Sequence, residues 1–200
     1  MKSDSVIRVL KKQIVCFAEG EWDVILLKAI FVSLSIDLSQ FEIVKIGGNH
    51  TKLIKAYGPR IQKASLEGKV IKIILDADDD ISEKQKELRL FSDELKVDFD
   101  LYFLPNNEAS GCVEDLLIKI IPDQNKSIDN CFEAYLNCIS ELDKKVVYNI
   151  PKARIHAYCG IIFNSNKYSK RDYTFEDLLN EGNWNIESPE LNKLKEFLLD

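Results

Sequence analysis

The apolar run IVCFA at 14–18 is short and continuous, with Gln13 before it and Glu19-Gly20 after it, so it reads as a strand buried on both faces. VILLKAIFVSLSI at 24–36 is long enough for a helix whose apolar face is covered along its length. FEIVKI at 41–46 predicts a second strand, closed by Gly47-Gly48, and Asn49 stands where it caps a helix running to about Ala64. Pro59 must kink or interrupt that helix, because it lacks the N–H the helix needs and crowds the preceding turn. VIKIIL at 70–75 predicts the third strand and leads straight into Asp76-Ala77-Asp78-Asp79-Asp80. Ser82 and Glu83 open a charged amphipathic helix to about Leu95, and DLYFLP at 100–105 gives the fourth strand.

Beyond that point the pattern changes to helix. GCVEDLLIKII (111–121), SIDNCFEAYLNCISEL (127–142), KARIHAYCGIIF (152–163), YTFEDLLNEG (173–182) and SPELNKLKEFLL (188–199) all favour it, with Ser127 and Ser188 as N-caps and VVYNI (146–150) as a possible extra strand. Strands alternating with helices predict an α/β fold: a four-stranded, mainly parallel, Rossmann-like sheet with helices on both faces. Residues 1–108 would form this core. Residues 109–200 would form a helical elaboration packed on it, in a single compact unit.

Composition narrows the class. With 46% hydrophobic residues in 200, the chain can bury a sizeable core. No apolar stretch reaches membrane-spanning length, and the first twenty residues lack the pattern of a secretory signal. Cysteines 16, 112, 131, 138 and 159 are odd in number, form no CxxC pair and have apolar neighbours, so they read as reduced core residues of a cytoplasmic protein. The net charge of −6 is unevenly spread. Lys45 to Lys72 holds seven basic residues and one acid, whereas Asp76 to Asp100 holds ten acids and four bases. A basic tract beside an acidic centre suits a metal-dependent enzyme acting on a polyanion, although each lysine is also ordinary for a solvated helix face.

The acids carry the candidate chemistry. In a parallel α/β sheet the strands present their C-terminal ends to one edge, where ligands bind. Glu19 follows the first strand, and Asp76 and Asp78 follow the third. In a 2-1-3-4 strand order these carboxylates converge although 57 positions separate Glu19 from Asp76. Residues i and i+2 of an extended segment point the same way, which aims Asp76 and Asp78 together. Clustered carboxylates repel unless a cation neutralises them, and hard oxygen ligands suit Mg²⁺ or Mn²⁺.

Phe17-Ala18-Glu19-Gly20-Glu21-Trp22-Asp23 resembles the hydrophobic-Glu-Gly-x-x-Asp signature that opens TOPRIM domains, and Ile73-Ile74-Leu75-Asp76-Ala77-Asp78 resembles their hydrophobic-DxD signature. The resemblance covers about residues 13 to 105. It extends to small stand-alone TOPRIM proteins related to the overcoming-lysogenisation-defect nucleases, some of them linked to phage defence. It implies that Glu19, Asp76 and Asp78 bind Mg²⁺ or Mn²⁺ and that Glu19 acts as general acid or base. Asp23 is either a helper at that centre or a first-turn acid facing the helix dipole. Gly111-Cys112-Val113-Glu114-Asp115 has a similar look: Glu114 and Asp115 either hold a second cation or its waters, or are ordinary first-turn acids.

The implied activity is metal-dependent hydrolysis of DNA or RNA phosphodiesters, because a topoisomerase or primase needs parts for which this chain has no room or no zinc pattern. Gly20, Lys52 and Lys55 would then contact the substrate. His50, after Gly47-Gly48, could touch phosphate or simply be a surface histidine, and His156 reads as a packed histidine within an apolar helix. Lys167, Lys170 and Arg171, near Tyr168 and Tyr173, either grip a strand or are plain loop residues. The alternative function is an interaction module whose helical half docks a partner, such as an ATPase, and whose metal site is idle or partner-activated.

Overall fold

Successive residues of a strand face opposite sides of its sheet, and here both sides are covered. In β1 (Ile14–Ala18), Ile14, Cys16 and Ala18 enter one apolar cluster while Val15 and Phe17 enter another. The structure is a computed structural model that describes residues 10–47, 51–78, 80–142, 149–163, 173–180 and 182–200, without the side chains of residues 38 and 51–53. β1 lies between β2 (Phe41–Lys45) and β3 (Val70–Asp76), and β4 (Asp100–Leu104) pairs with the far side of β3. All three pairings are parallel, so the α/β class agrees with the reading from the strand pattern, and the order is the 2-1-3-4 arrangement on which convergence of the acids depended.

Helices α2 (Thr51–Ala56), α3 (Gly58–Leu66) and α4 (Ile81–Leu95) cover one face, burying Ile54, Ile61, Ala64, Leu88 and Phe91 against Phe17, Ile73 and Phe103. Pro59 does break the helix expected to reach Ala64: α2 stops at Ala56 and α3 restarts with Pro59 in its first turn, where a missing N–H costs nothing. The residues expected to cap α2, including Asn49, lie outside the described residues.

The other face takes α1 (Glu21–Ser33), α5 (Val113–Lys119), α7 (Ile150–Ile162), α8 (Phe175–Leu179) and α9 (Asn192–Leu199). Tyr158, Cys159, Leu178, Trp184, Leu194 and Leu198 share one cluster with Cys16, Ala18, Ile74 and Leu104 of the sheet. Trp184 sits at its centre, 5.2 Å from the Tyr158 ring, 6.1 Å from Trp22 and 6.2 Å from Phe163.

Several local expectations are corrected. The first helix begins at Glu21 rather than Val24, because the Asp23 carboxylate accepts the Gly20 N–H at 3.1 Å and starts the helix there. α6 (Lys126–Ser140) is preceded by Asn125, so Ser127 lies inside the helix and is not its cap. Ser188 does cap, accepting the Glu190 N–H. Of the supposed strand at 146–150, residues up to 148 lie outside the described residues, Asn149 caps α7 and Ile150 begins it. Cys16 and Cys159 are buried as expected, but Cys131 and Cys138 are exposed on α6, which buries no residue at all. Among the described residues no helix is long and apolar enough to cross a membrane.

Candidate functional site

β1 and β3 are hydrogen-bonded neighbours, in register Ala18 with Ile74, so their C-terminal ends emerge side by side. Glu19 leaves β1 there, and one of its carboxylate oxygens accepts the Asp76 N–H at 3.2 Å. Asp76 is the last residue of β3, and its Oδ1 accepts the Val113 N–H at 2.9 Å, which ties the strand end to the first turn of α5. Asp78 stands two residues on, but not in extended backbone: its φ is +47°, and its N–H bonds the Gly111 carbonyl at 3.0 Å in an isolated antiparallel bridge. The expectation that an extended i, i+2 pair aims both aspartates is therefore replaced. The chain turns at Asp78, and the bridge to Gly111 brings the acid back to the edge.

One cavity of about 830 Å³ joins these groups. Its walls include Glu19, Asp23, Asp76, Asp78 and Glu114, together with Gly20, Glu21, Trp22, Cys112 and Val113 from the sheet edge. From the C-terminal half, Asn149, Lys152, His156 and Tyr173 complete it. Glu19 and Glu114 are 8% exposed and Asp23 only 2%, so these carboxylates are poorly hydrated.

The electrostatic consequence follows. Burial, with the neighbouring Asp78 and Glu114 charges, raises the Glu19 pKa against the relief given by the Asp76 N–H and Lys84. Burial first, then Glu19, pushes Asp23 upward. Asp76 is driven up by burial and then by Asp23 and Glu19, which the Val113 N–H only partly offsets. Asp23 Oδ1 is buried and has no hydrogen-bond partner among the described residues. A buried unpartnered carboxylate oxygen is costly, and a cation is the group that satisfies several such oxygens at once. The donor set is all hard oxygen, as Mg²⁺ or Mn²⁺ requires.

Among the described residues, however, no three ligating side chains stand ready around a common point. Internal contacts hold them apart: Lys84 bonds both the Asp78 carboxylate and, at 2.9 Å, the Asp76 carbonyl. Lys84 is thus a resident positive charge at the acidic edge, and it competes with any incoming cation for Asp78. Replacing it (Lys84→Ala) is expected to tighten Mn²⁺ binding about 3- to 10-fold, the effect of removing one competing ion pair, and titration calorimetry reads it directly. Weaker Mn²⁺ binding in that variant would mean that Lys84 orders the acids instead.

The residues singled out from the sequence divide. Glu19, Asp23, Asp76, Asp78, Glu114 and Gly20 share the cavity. Asp23 is a first-turn acid whose Oδ2 starts α1, and it also lines the cavity. Asp115 parts from Glu114; it accepts the Cys112 N–H at 2.9 Å as a cap and does not line the cavity. Lys55 is exposed on α2, away from these walls, while His50 and the Lys52 side chain lie outside the described residues. So do Lys167, Tyr168, Lys170 and Arg171.

The basic tract 45–72 is largely neutralised within the fold. Lys45 pairs with Glu21, Arg60 with Glu42, Lys63 and Lys69 with Glu67, and Lys72 is 1% exposed beside Asp100 with its ammonium 4.5 Å from the Phe197 ring centre.

His156 is corrected in the other direction. It is exposed on α7 and lines the cavity instead of being packed, because Ile155, Tyr158 and Cys159 take the buried face of the helix. Lys152, Asn149, Trp22 and Tyr173 are further cavity residues that the sequence reading did not single out for this site. The one signal it held was spacing: Lys152 and His156 are four apart and must share a helix face.

No curated protein and no solved structure matches the chain. The TOPRIM resemblance is overturned by the family comparison, whose match covers nearly the whole chain and names a different family. Two short motifs around Glu19 and Asp76 were too little sequence to carry that assignment. With residues 13–200 matched, the chain belongs to the family described as "Protein of unknown function (DUF3226)".

Proposed function

We propose that this protein is a Mg²⁺- or Mn²⁺-dependent phosphodiester hydrolase acting on nucleic acid, with its centre in the acidic cavity. The observation that carries the reading is the gathering of carboxylates in one cavity, with Glu19, Asp23, Asp76 and Glu114 in mutual electrostatic contact. Glu19, Asp76 and Asp78 would hold the ion, with Asp23 and Glu114 beside them. A bound divalent ion supplies Lewis-acid charge that lowers the pKa of a water and offsets the charge on a phosphate.

The protein's own groups then have distinct tasks. Glu19, whose proton affinity is raised, is suited to take a proton from a nucleophilic water and return it to the leaving oxygen. Asp76, tied to Val113, fixes the edge against which the substrate is held. The Cys112 thiol is kept protonated by burial, which disfavours a thiolate nucleophile in the same cavity. All five cysteines are free thiols, in keeping with a reducing, cytoplasmic setting.

The test is a cleavage panel on DNA and RNA with Mg²⁺, Mn²⁺ or chelator, comparing wild type with Glu19→Ala, alongside calorimetric titration of the ion. Metal-dependent cleavage lost in the variant supports the reading; no ion binding and no cleavage by the wild type rejects it. A second reading, a module docked on a partner protein such as an ATPase, has one support: α6 buries no residue and leaves Tyr135 half exposed. Co-purification with a stoichiometric partner, together with an inert isolated protein, would favour it.

A further inference from the structure

The cavity lining combines two kinds of charge. The acids occupy the sheet edge, and α7 adds Lys152 and His156, one helical turn apart, to the lining of the same space. Lys152 is exposed and forms no ion pair with any described residue, unlike most basic residues of the 45–72 tract. The first turn of α7 also lies on the cavity, with Asn149 capping it through the Lys152 N–H at 3.0 Å, so the positive end of a 13-residue helix reinforces the lysine. The same cavity is lined by Asp23, 2% exposed, one of whose oxygens lacks a hydrogen-bond partner among the described residues. An anion reaching from Lys152 to a cation held by the acids would meet positive charge at both ends.

The third feature is aromatic. Tyr173 lines the cavity and stacks on Trp22, with ring centres 5.0 Å apart and planes within 24°. A space of about 830 Å³ accommodates a nucleotide unit, within the usual range for small-ligand pockets of roughly 300–1,000 Å³. A base can reach an aromatic side chain inside such a cavity only after leaving its stack.

We propose that Lys152 and His156 form the phosphate-binding wall of this site and that the substrate enters it as single-stranded nucleic acid, one nucleotide seated between α7, the sheet-edge acids and Tyr173. The inference rests on the hydrolase reading and adds the substrate's strand state and the residues that hold its phosphate. Lys152 and His156 are binding residues here; proton transfer stays with the sheet edge.

The experiment measures fluorescence anisotropy of a labelled twelve-nucleotide oligothymidylate and of a twelve-base-pair duplex, with Ca²⁺ in place of Mg²⁺ to limit cleavage, over a range of salt. The wild type is expected to bind the single strand about 10-fold or more tighter than the duplex. Lys152→Ala should weaken single-strand binding about 5- to 10-fold and reduce the slope of log affinity against log salt by about 0.7, the contribution of one phosphate contact. Lys152→Arg should restore both, and His156→Gln should weaken binding at unchanged circular dichroism. Lys86→Ala, on the exposed face of α4, is the control for general charge.

Equal binding by wild type, Lys152→Ala and His156→Gln, or a preference for duplex, overturns this inference while leaving the hydrolase reading standing. Absence of binding by the wild type to either probe overturns the inference, and if ion binding is absent as well, the hydrolase reading falls with it.

Discussion

Asp76→Asn is expected to cut metal-dependent cleavage by orders of magnitude while making the metal-free protein more stable. Asp76 is held among like charges, with Asp23 and Glu19 next to it, and burial disfavours its ionised form. Asparagine keeps an oxygen to accept the Val113 N–H, so the tie between β3 and α5 survives. What disappears is one negative charge. Activity should fall about 100- to 1,000-fold, the usual cost of removing a charge-stabilising group from a reacting centre. Metal-free stability should rise by about 1–2 kcal/mol, or about 2–8 °C in Tm for a domain of this size.

The pH dependence has a definite sign. The folded-state pKa of Asp76 lies above its unfolded value, so the folded protein binds the proton more tightly than the unfolded chain does. The associated stability is fully present below about pH 4, the unfolded-state value, and is lost as pH rises through the folded pKa. Asp23 and Glu19 are shifted in the same direction. The advantage of Asp76→Asn should therefore be nil in acid and grow toward neutral pH. Thermal melts in chelator across this range check it, and Mg²⁺ should stabilise the wild type more than the variant. A variant that is less stable at every pH would mean that the aspartate is a structural acceptor and not a strained one.

Trp184→Ala should cost about 3–5 kcal/mol of unfolding free energy, because a large side chain 4% exposed would leave a void that its neighbours cannot fill. Its ring meets Trp22, Tyr158 and Phe163, so the void would open between α1 and α7, the two helices that flank the cavity. Tm should drop by about 6–20 °C in a single transition, since the C-terminal helices share one apolar cluster with β1, β3 and β4. Leu66→Ala, on a side chain 89% exposed, is the contrast and should change stability by less than about 0.5 kcal/mol. A separate, early transition in Trp184→Ala, with the sheet melting at its original temperature, would show that residues 109–200 fold as an independent unit.

These outcomes bear on how the site is assembled. The sheet supplies acids at fixed separation because parallel neighbours in register end together, as Ala18 and Ile74 do. The helical half adds to the lining because α7 turns its apolar side, Ile155, Tyr158 and Cys159, into the core and leaves Lys152 and His156 outside it. The chemistry of the cavity depends on both, which is why a packing change at Trp184 is expected to disturb a centre to which Trp184 contributes no ligand.

The strands, their parallel sense and the acids at their ends were legible in the amino-acid pattern, whereas the 2-1-3-4 order was not and came from the fold. Short, largely apolar runs such as IVCFA and VIKIIL leave few alternatives to buried strands, and Glu19 and Asp76 are attached to those strands by the covalent chain. The sequence also held the helix break at Pro59, which is a local matter of a missing N–H. The rest depended on how the elements pack. Whether Glu114 or Asp115 meets the acids depends on which rotational face of α5 is turned inward, and whether the 45–72 lysines are available depends on acids far away in sequence, such as Glu21, Glu42 and Asp100. The left-handed turn at Asp78 is fixed by its bridge to Gly111, and the role of His156 by the packing of α7. Periodicity records which residues lie on one face of an element; only the neighbours an element meets determine what that face confronts.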